Sequence, residues 1–177
     1  MRSPFTWGGN RILSGLMKSG FRIRWRWVLI RLIAMLFMLW LLGSVGVIYL
    51  SFHRAPLPLT RMPSDLGLPY EDVIFTTEDG VRIAGWFIPA RGNDNHCTII
   101  ICHGYPGVRS RFIDVAPALH RAGYSVFMFD FRGNGHSGGR PTIGRTEVRD
   151  LRAAVHWLKA HRTKQAQRIG VIGFSMG

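Results

Sequence analysis

The apolar positions of this chain fall into several different rhythms. From Leu32 to Phe52 the sequence "LIAMLFMLWLLGSVGVIYLSF" runs for 21 residues without a charge. At ~1.5 Å rise per residue, a helix over that stretch covers roughly 30 Å, the thickness of a bilayer's hydrocarbon core. Further on, "EDVIFTT" and "VRIAGWFIP" are β-rich runs on either side of "EDG" (Glu78–Gly80), the signature of an antiparallel hairpin. Three short apolar runs follow, in "TIIIC" (98–102), "YSVFMFD" (124–130) and "RIGVIG" (168–173), as expected of strands buried on both faces. Between the first two, "SRFIDVAPALHRAG" sets Phe112, Val115 and Leu119 at helical spacing, with Ser110 as a cap and Gly123 as a stop. Between the last two, "EVRDLRAAVHWLKAHR" places Val148, Leu151, Val155 and Leu158 on one stripe, with Arg149, Arg152, Lys159 and Arg162 mainly elsewhere.

A hairpin followed by strand–helix–strand–helix–strand predicts an α/β domain with a largely parallel sheet. In such sheets, ligand chemistry gathers at the carboxyl ends of the strands. The chain divides into a basic arm (1–31), a transmembrane helix (32–52), a linker carrying four prolines (53–69) and the α/β domain (70–177). There is no internal repeat.

Charge sharpens this division. The formal net charge of +13 resembles that of a nucleic-acid binder until it is split along the chain. Residues 1–64 hold nine Arg and Lys and no acid, whereas 65–177 hold 14 basic and 10 acidic residues. The basicity therefore belongs mostly to the arm before the apolar run, and a nucleic-acid partner is not implied. Positive charge stays on the cytoplasmic side, which predicts a single-pass protein with its N-terminus inside and the α/β domain outside. Trp25, Trp27, Trp40 and Tyr49 supply aromatic anchors. A buried helix of a soluble protein is one alternative, but such helices rarely stay apolar for so long. A cleaved signal peptide is another, but its apolar region is normally only ~7–15 residues with an A-x-A-like site. "GSVGV" (43–47) is a poor site, so the segment reads as an uncleaved signal anchor.

Cys97 and Cys102 bracket "TIII" on one predicted strand, on opposite faces and roughly 16 Å apart. A disulfide needs Cα atoms closer than ~7 Å, so both read as buried free thiols.

Three motifs sit at the ends of the three apolar strands. "GFSMG" (Gly173–Gly177) has the pattern G-x-S-x-G directly after a strand, where a tight strand-to-helix turn displays Ser175 as a nucleophile. The turn strains the serine backbone, and side chains at Gly173 or Gly177 would collide with neighbours. "HGYPG" (His103–Gly107) follows "TIIIC". Acyl transfer needs two N–H groups on the developing oxyanion, and Met176 and Tyr105 are placed to donate them, with Gly104 starting the turn. His103 reads as a structural histidine bonding the loop rather than a catalytic base, and Tyr105 also borders a possible acyl pocket. "DFRGNGHSGG" (Asp130–Gly139) contains G-x-G-x-x-G, but a dinucleotide fingerprint opens directly into a helix, with an acid ~20 residues on. Here "GRPTIG" intervenes and Asp150 lies only 12 residues past Gly138. Asp130 and Arg132 instead read as braces of this loop, through an ion pair and backbone contacts. His136 and Ser137 read as structural.

The ordered set "HGYPG", "DFRGNGHSGG", "GFSMG" resembles the α/β-hydrolase family, and more narrowly its members with an N-terminal membrane anchor. The resemblance covers about Leu68 to Gly177. It implies the first part of an eight-stranded sheet whose second strand is antiparallel. Ser175 takes the nucleophile's place, and Tyr105 and Met176 those of the oxyanion donors. The implied activity is hydrolysis of an ester, thioester or amide, with a small-molecule or lipid-like acyl substrate or a peptide, and no metal or organic cofactor. In the family the acid and then the histidine follow the serine. None of the seven histidines occupies the base position, and Asp130 comes too early to be the acid. The sequence therefore predicts that these 177 residues, made alone, are inactive and poorly folded, with an apolar strand edge where the family's central fifth strand would lie. A non-catalytic truncated membrane protein and a nucleotide-binding domain are the rival readings.

Overall fold

The computed structural model describes residues 12–52, 57–92 and 95–177, and the chain divides into two units, Met1–His53 and Arg54–Gly177. The first eleven residues of the basic arm and the start of the linker lie outside the described residues.

Helix α1 (Ile12–Phe52) runs for 41 residues in the first unit. It begins well inside the stretch expected to be an arm, because Arg, Lys, Leu and Met are all strong helix formers and no proline interrupts them. Within it, Arg24–Ser51 is long and apolar enough to cross a membrane, and none of its side chains is buried. The span starts at Arg24 rather than Leu32 because long arginine stems can lie along apolar surface while their heads reach water.

In the second unit, β1 (Glu71–Thr76) and β2 (Arg82–Ile88) form the expected hairpin. Its turn is closed by the Gly80 N–H donating to the Thr77 carbonyl at 3.0 Å, with Gly80 at φ +79. The other strands are β3 (Cys97–Cys102), β4 (Ser125–Phe129) and β5 (Arg168–Gly173), and the sheet order is β1-β2-β4-β3-β5. β3, β4 and β5 are mutually parallel, while β2 is antiparallel to both its neighbours, so the sheet is mixed.

Side chains alternate between two cores, as the pleat requires. Ile83, Phe87, Ile100, Cys102, Phe127 and Phe129 face α3 (Glu147–His161), whose Ala154 and Leu158 are fully buried against them. Trp86, Ile88, Ile101, Val126 and Met128 face Ile113 and Ala116 on the opposite side. Cys102 joins the first core, and both cysteines are buried free thiols. Burial pushes the Cys102 thiol up to about 12.

Several details differ from the sequence reading. The single helix expected over 110–123 is a 3₁₀ segment (Arg109–Val115) followed by a short helix, α2 (Ala116–Arg121). Pro117 explains the break: it has no N–H to give and sits within the first turn of α2. Ser110 is no cap, and its hydroxyl accepts the Thr60 N–H at 3.2 Å. On α3 the buried stripe is Glu147, Asp150, Ala154 and Leu158, and Val148 is exposed. β5, whose apolar run reads as buried on both faces, instead forms the apolar strand edge expected for these 177 residues, with Val171 50% exposed. The linker is not wholly free either. Leu59, Met62 and Leu66 pack on the second core, and Arg61 pairs with Asp114 at 2.7 Å.

Candidate active site

The three motifs meet at the carboxyl ends of β3, β4 and β5. Ser175 is exposed and holds φ +58, a left-handed conformation that costs a non-glycine residue roughly 1–3 kcal/mol. The glycines of "GFSMG" make this turn possible. A Cβ on Gly173 would run into the Gly177 carbonyl, and one on Gly177 would lie 2.5 Å from the Cys102 carbonyl oxygen.

The "HGYPG" loop lies directly against this turn. A Cβ on Gly104 would sit 3.0 Å from the Ser175 Cβ and 3.6 Å from its Oγ. The Gly104–Tyr105 peptide thus starts at the residue packed on the serine, and the Tyr105–Pro106 peptide is cis.

Both ends of the loop are fastened to neighbouring residues of β4's exit. His103 is buried, and its Nε2 accepts the Phe131 N–H at 3.0 Å. That fixes the proton on Nδ1, which donates to the Gly104 carbonyl at 2.8 Å. With both nitrogens engaged inside the fold, His103 serves as a brace. At the other end Asp130, fully buried, accepts the Arg109 N–H at 2.7 Å and Arg109 Nη1 at 2.9 Å. The Arg109 guanidinium lies over the Trp86 ring at 4.4 Å, and its Nε has no partner.

Asp130 and Arg132 both brace the glycine loop, but not through a pair with each other. Asp130 takes Arg109 and the His136 N–H at 3.0 Å, while Arg132 pairs with Asp150 at 2.7 Å and Asp79 at 2.7 Å. Arg132 holds Asp79 far below the usual carboxylate range, helped by the Thr77 hydroxyl. Ser137 donates to the Asp130 carbonyl at 2.6 Å and accepts the Ala84 N–H at 2.9 Å, joining the loop to β2. The glycine pattern has a local use: a Cβ on Gly135 would collide with the Asp130 carboxylate, and one on Gly133 with Pro141. No helix opens from it, since α3 begins only at Glu147.

"GRPTIG" forms a further turn beside the site. Glu147 is buried, and its carboxylate accepts the Thr142 N–H at 2.6 Å, the Thr142 hydroxyl at 2.7 Å and the Gly144 N–H at 2.9 Å. Burial works to raise its pKa, but these donors outweigh it and the net shift is downward. The held turn places Ile143 at φ +51 with 49% of its surface exposed. A Cβ on Gly144 would be 4.0 Å from the Met176 Cγ.

Arg109, Asp79, Ser137 and Glu147 were not given these partners by sequence reasoning. Arg109, Ser137 and Glu147 share one signal, polarity inside stretches that the fold buries, whereas Asp79 is exposed in the hairpin turn; in each case the role declares itself only once the partner is known.

Burial is the main cause that lowers the His103 pKa from its ordinary 6.5. The unfolded chain then binds the extra proton first, so stability falls as pH drops below about 6.5 and rises as pH returns. Urea unfolding near pH 7.5 and pH 5 is expected to show a smaller acid loss for His103→Gln than for wild type. Equal losses would mean that His103 does not carry the effect.

The sequence model of the family described as "alpha/beta hydrolase fold" matches residues 98–177. The solved structure of the Pyrococcus furiosus esterase Pf2001 is 42% identical with a TM-score of 0.64, over 69% of this chain and 49% of that one. An alpha-beta serine hydrolase homologue from Coxiella burnetii is 32% identical with a TM-score of 0.53, over 60% of this chain and 52% of that one. Among curated proteins, the uncharacterized protein Rv2307c of Mycobacterium tuberculosis is 38% identical over 106 residues, 60% of this chain and 37% of the relative. The chain thus spans about half the length of these solved structures, and less of the curated relative.

Proposed function

We propose that this chain, which belongs to the α/β-hydrolase family and carries the N-terminal part of its fold, supplies the nucleophile and oxyanion hole of a membrane-anchored serine hydrolase. The observation that carries this reading is the exposed Ser175 held at φ +58, with Gly104 packed against its side chain. Ser175 Oγ attacks the carbonyl carbon of an ester, thioester or amide, forming a tetrahedral intermediate. Its collapse expels the alcohol, thiol or amine and leaves an acyl-enzyme, which water then hydrolyses. The N–H groups of Tyr105 and Met176 hold the oxyanion, and preorganised donors of this kind are worth about 10²–10³-fold each.

A serine hydroxyl needs a base to take its proton, and that base must return a proton to the leaving group. In this family the acid and the histidine follow the nucleophile in chain order. We assign both to the part of such a fold that comes after β5, because His103 is engaged at both nitrogens and Asp130 is spent on Arg109 and His136.

The apolar part of α1 is taken to cross the bilayer, with its basic end in the cytoplasm and the hydrolase domain outside. Tethering there favours acyl substrates that partition into lipid. The test is labelling of the full-length gene product with a fluorophosphonate. The adduct is expected on the peptide containing Ser175. A protein that stays unlabelled under conditions in which a known serine hydrolase reacts would favour the non-catalytic reading.

A further inference from the structure

The turn at Thr142–Gly144 takes no part in the chemistry above, yet it is tightly constrained and exposes an apolar side chain. Left-handed backbone is readily adopted by glycine and tolerated by asparagine, but for a β-branched residue it is an outlier. Ile143 nonetheless holds φ +51, and Gly144 beside it holds φ +91. The conformation is imposed from within, by the buried Glu147 carboxylate gripping the residues on either side of Ile143. What the grip presents is an apolar side chain 49% exposed, in neither of the two cores. A position that only had to turn the chain would suit Gly or Asn better, so the isoleucine side chain needs a reason outside the fold.

Its location supplies one. Gly144 faces the side chain of Met176, the residue next to Ser175. We propose that Ile143 is a specificity-determining residue, whose side chain contacts the apolar part of the acyl substrate bound at Ser175. This rests on the hydrolase reading. Glu147 is then a positioning residue that fixes the turn, and Thr142 is the neighbour through which it acts.

The experiment compares kcat/KM for p-nitrophenyl octanoate and p-nitrophenyl acetate in the full-length gene product and in Ile143→Asn and Ile143→Gly. Both replacements suit the left-handed backbone, so the turn is kept while the apolar contact is lost. The octanoate-to-acetate ratio is expected to fall about tenfold in both variants, the scale of a lost apolar contact in a binding site. Their thermal midpoints are expected to be no lower than that of wild type. An unchanged ratio with active variants overturns the assignment and leaves the hydrolase reading standing. A clearly lowered midpoint also overturns it, by showing that the side chain serves packing. A wild-type protein that hydrolyses neither ester and takes no fluorophosphonate overturns the hydrolase reading, and this assignment with it.

Discussion

Ser175→Ala is expected to reduce ester hydrolysis by the full-length gene product by at least about 10⁴-fold in kcat/KM, with no comparable loss of stability. The reasoning is local. The alanine keeps the left-handed turn that Gly173 and Gly177 make room for, so the "HGYPG" loop still packs against it. What disappears is the atom proposed to form the acyl-enzyme. On the proposed mechanism any remaining rate comes from the oxyanion donors acting on attack by water, a residual of roughly 10³–10⁴-fold over the uncatalysed reaction. Because Ser175 is exposed, unfolding is expected to shift by only about 0.5 kcal/mol. Turnover of p-nitrophenyl acetate and a urea melt on the same preparation check both halves. A variant that keeps a tenth or more of the wild-type rate would remove Ser175 from the mechanism.

The second large effect falls on stability. Asp130→Ala is expected to cost about 3–5 kcal/mol, the range for removing one partner of a buried ion pair. Asp130 is fully buried, and it holds the backbone and guanidinium of Arg109 as well as the His136 N–H. Without it Arg109 stays buried as an uncompensated cation, and its Nε already lacks a partner. For a domain at the lower end of the typical stability of about 5–15 kcal/mol, that loss leaves a measurable unfolded population at 37 °C. Asp130→Asn keeps the shape but not the charge, and is expected to fall between the two. Urea unfolding decides: a loss below about 1 kcal/mol for Asp130→Ala would show that Arg109 finds water or another partner.

The strands were the most legible part of the sequence. In β3 and β4 both alternating sets are apolar, and each set has a core to enter, so the runs announced strands buried on two sides. The turn at the candidate site was legible where its backbone geometry requires glycine. Gly173, Gly177 and Gly104 each occupy a place that a Cβ would fill, and a serine flanked by such glycines marks the turn. The helices were read less well because burial was equated with apolarity. On α3 that gave Val148, which is exposed, and passed over Glu147 and Asp150, which are buried. Each of those acids is satisfied by donors from outside the helix: Arg132 for Asp150, and the Thr142–Gly144 turn for Glu147. A stripe drawn from one helix alone contains no information about such donors. The same limit applied to Asp130 and Arg132, adjacent in the motif yet paired with residues 21 and 18 positions away in the chain.

The double fastening of the "HGYPG" loop bears on how the site comes into being. Its two anchors, Phe131 N–H and the Asp130 carboxylate, lie 28 and 21 residues beyond the groups they hold. Neither anchor can engage until β3 and β4 have paired in register, so the loop has no rigid form of its own earlier in folding. The loop's geometry is therefore a property of the β3–β4 ladder. Any partial opening that separates those strands releases both ends of the loop in one event, and the loop and ladder belong to one cooperative unit.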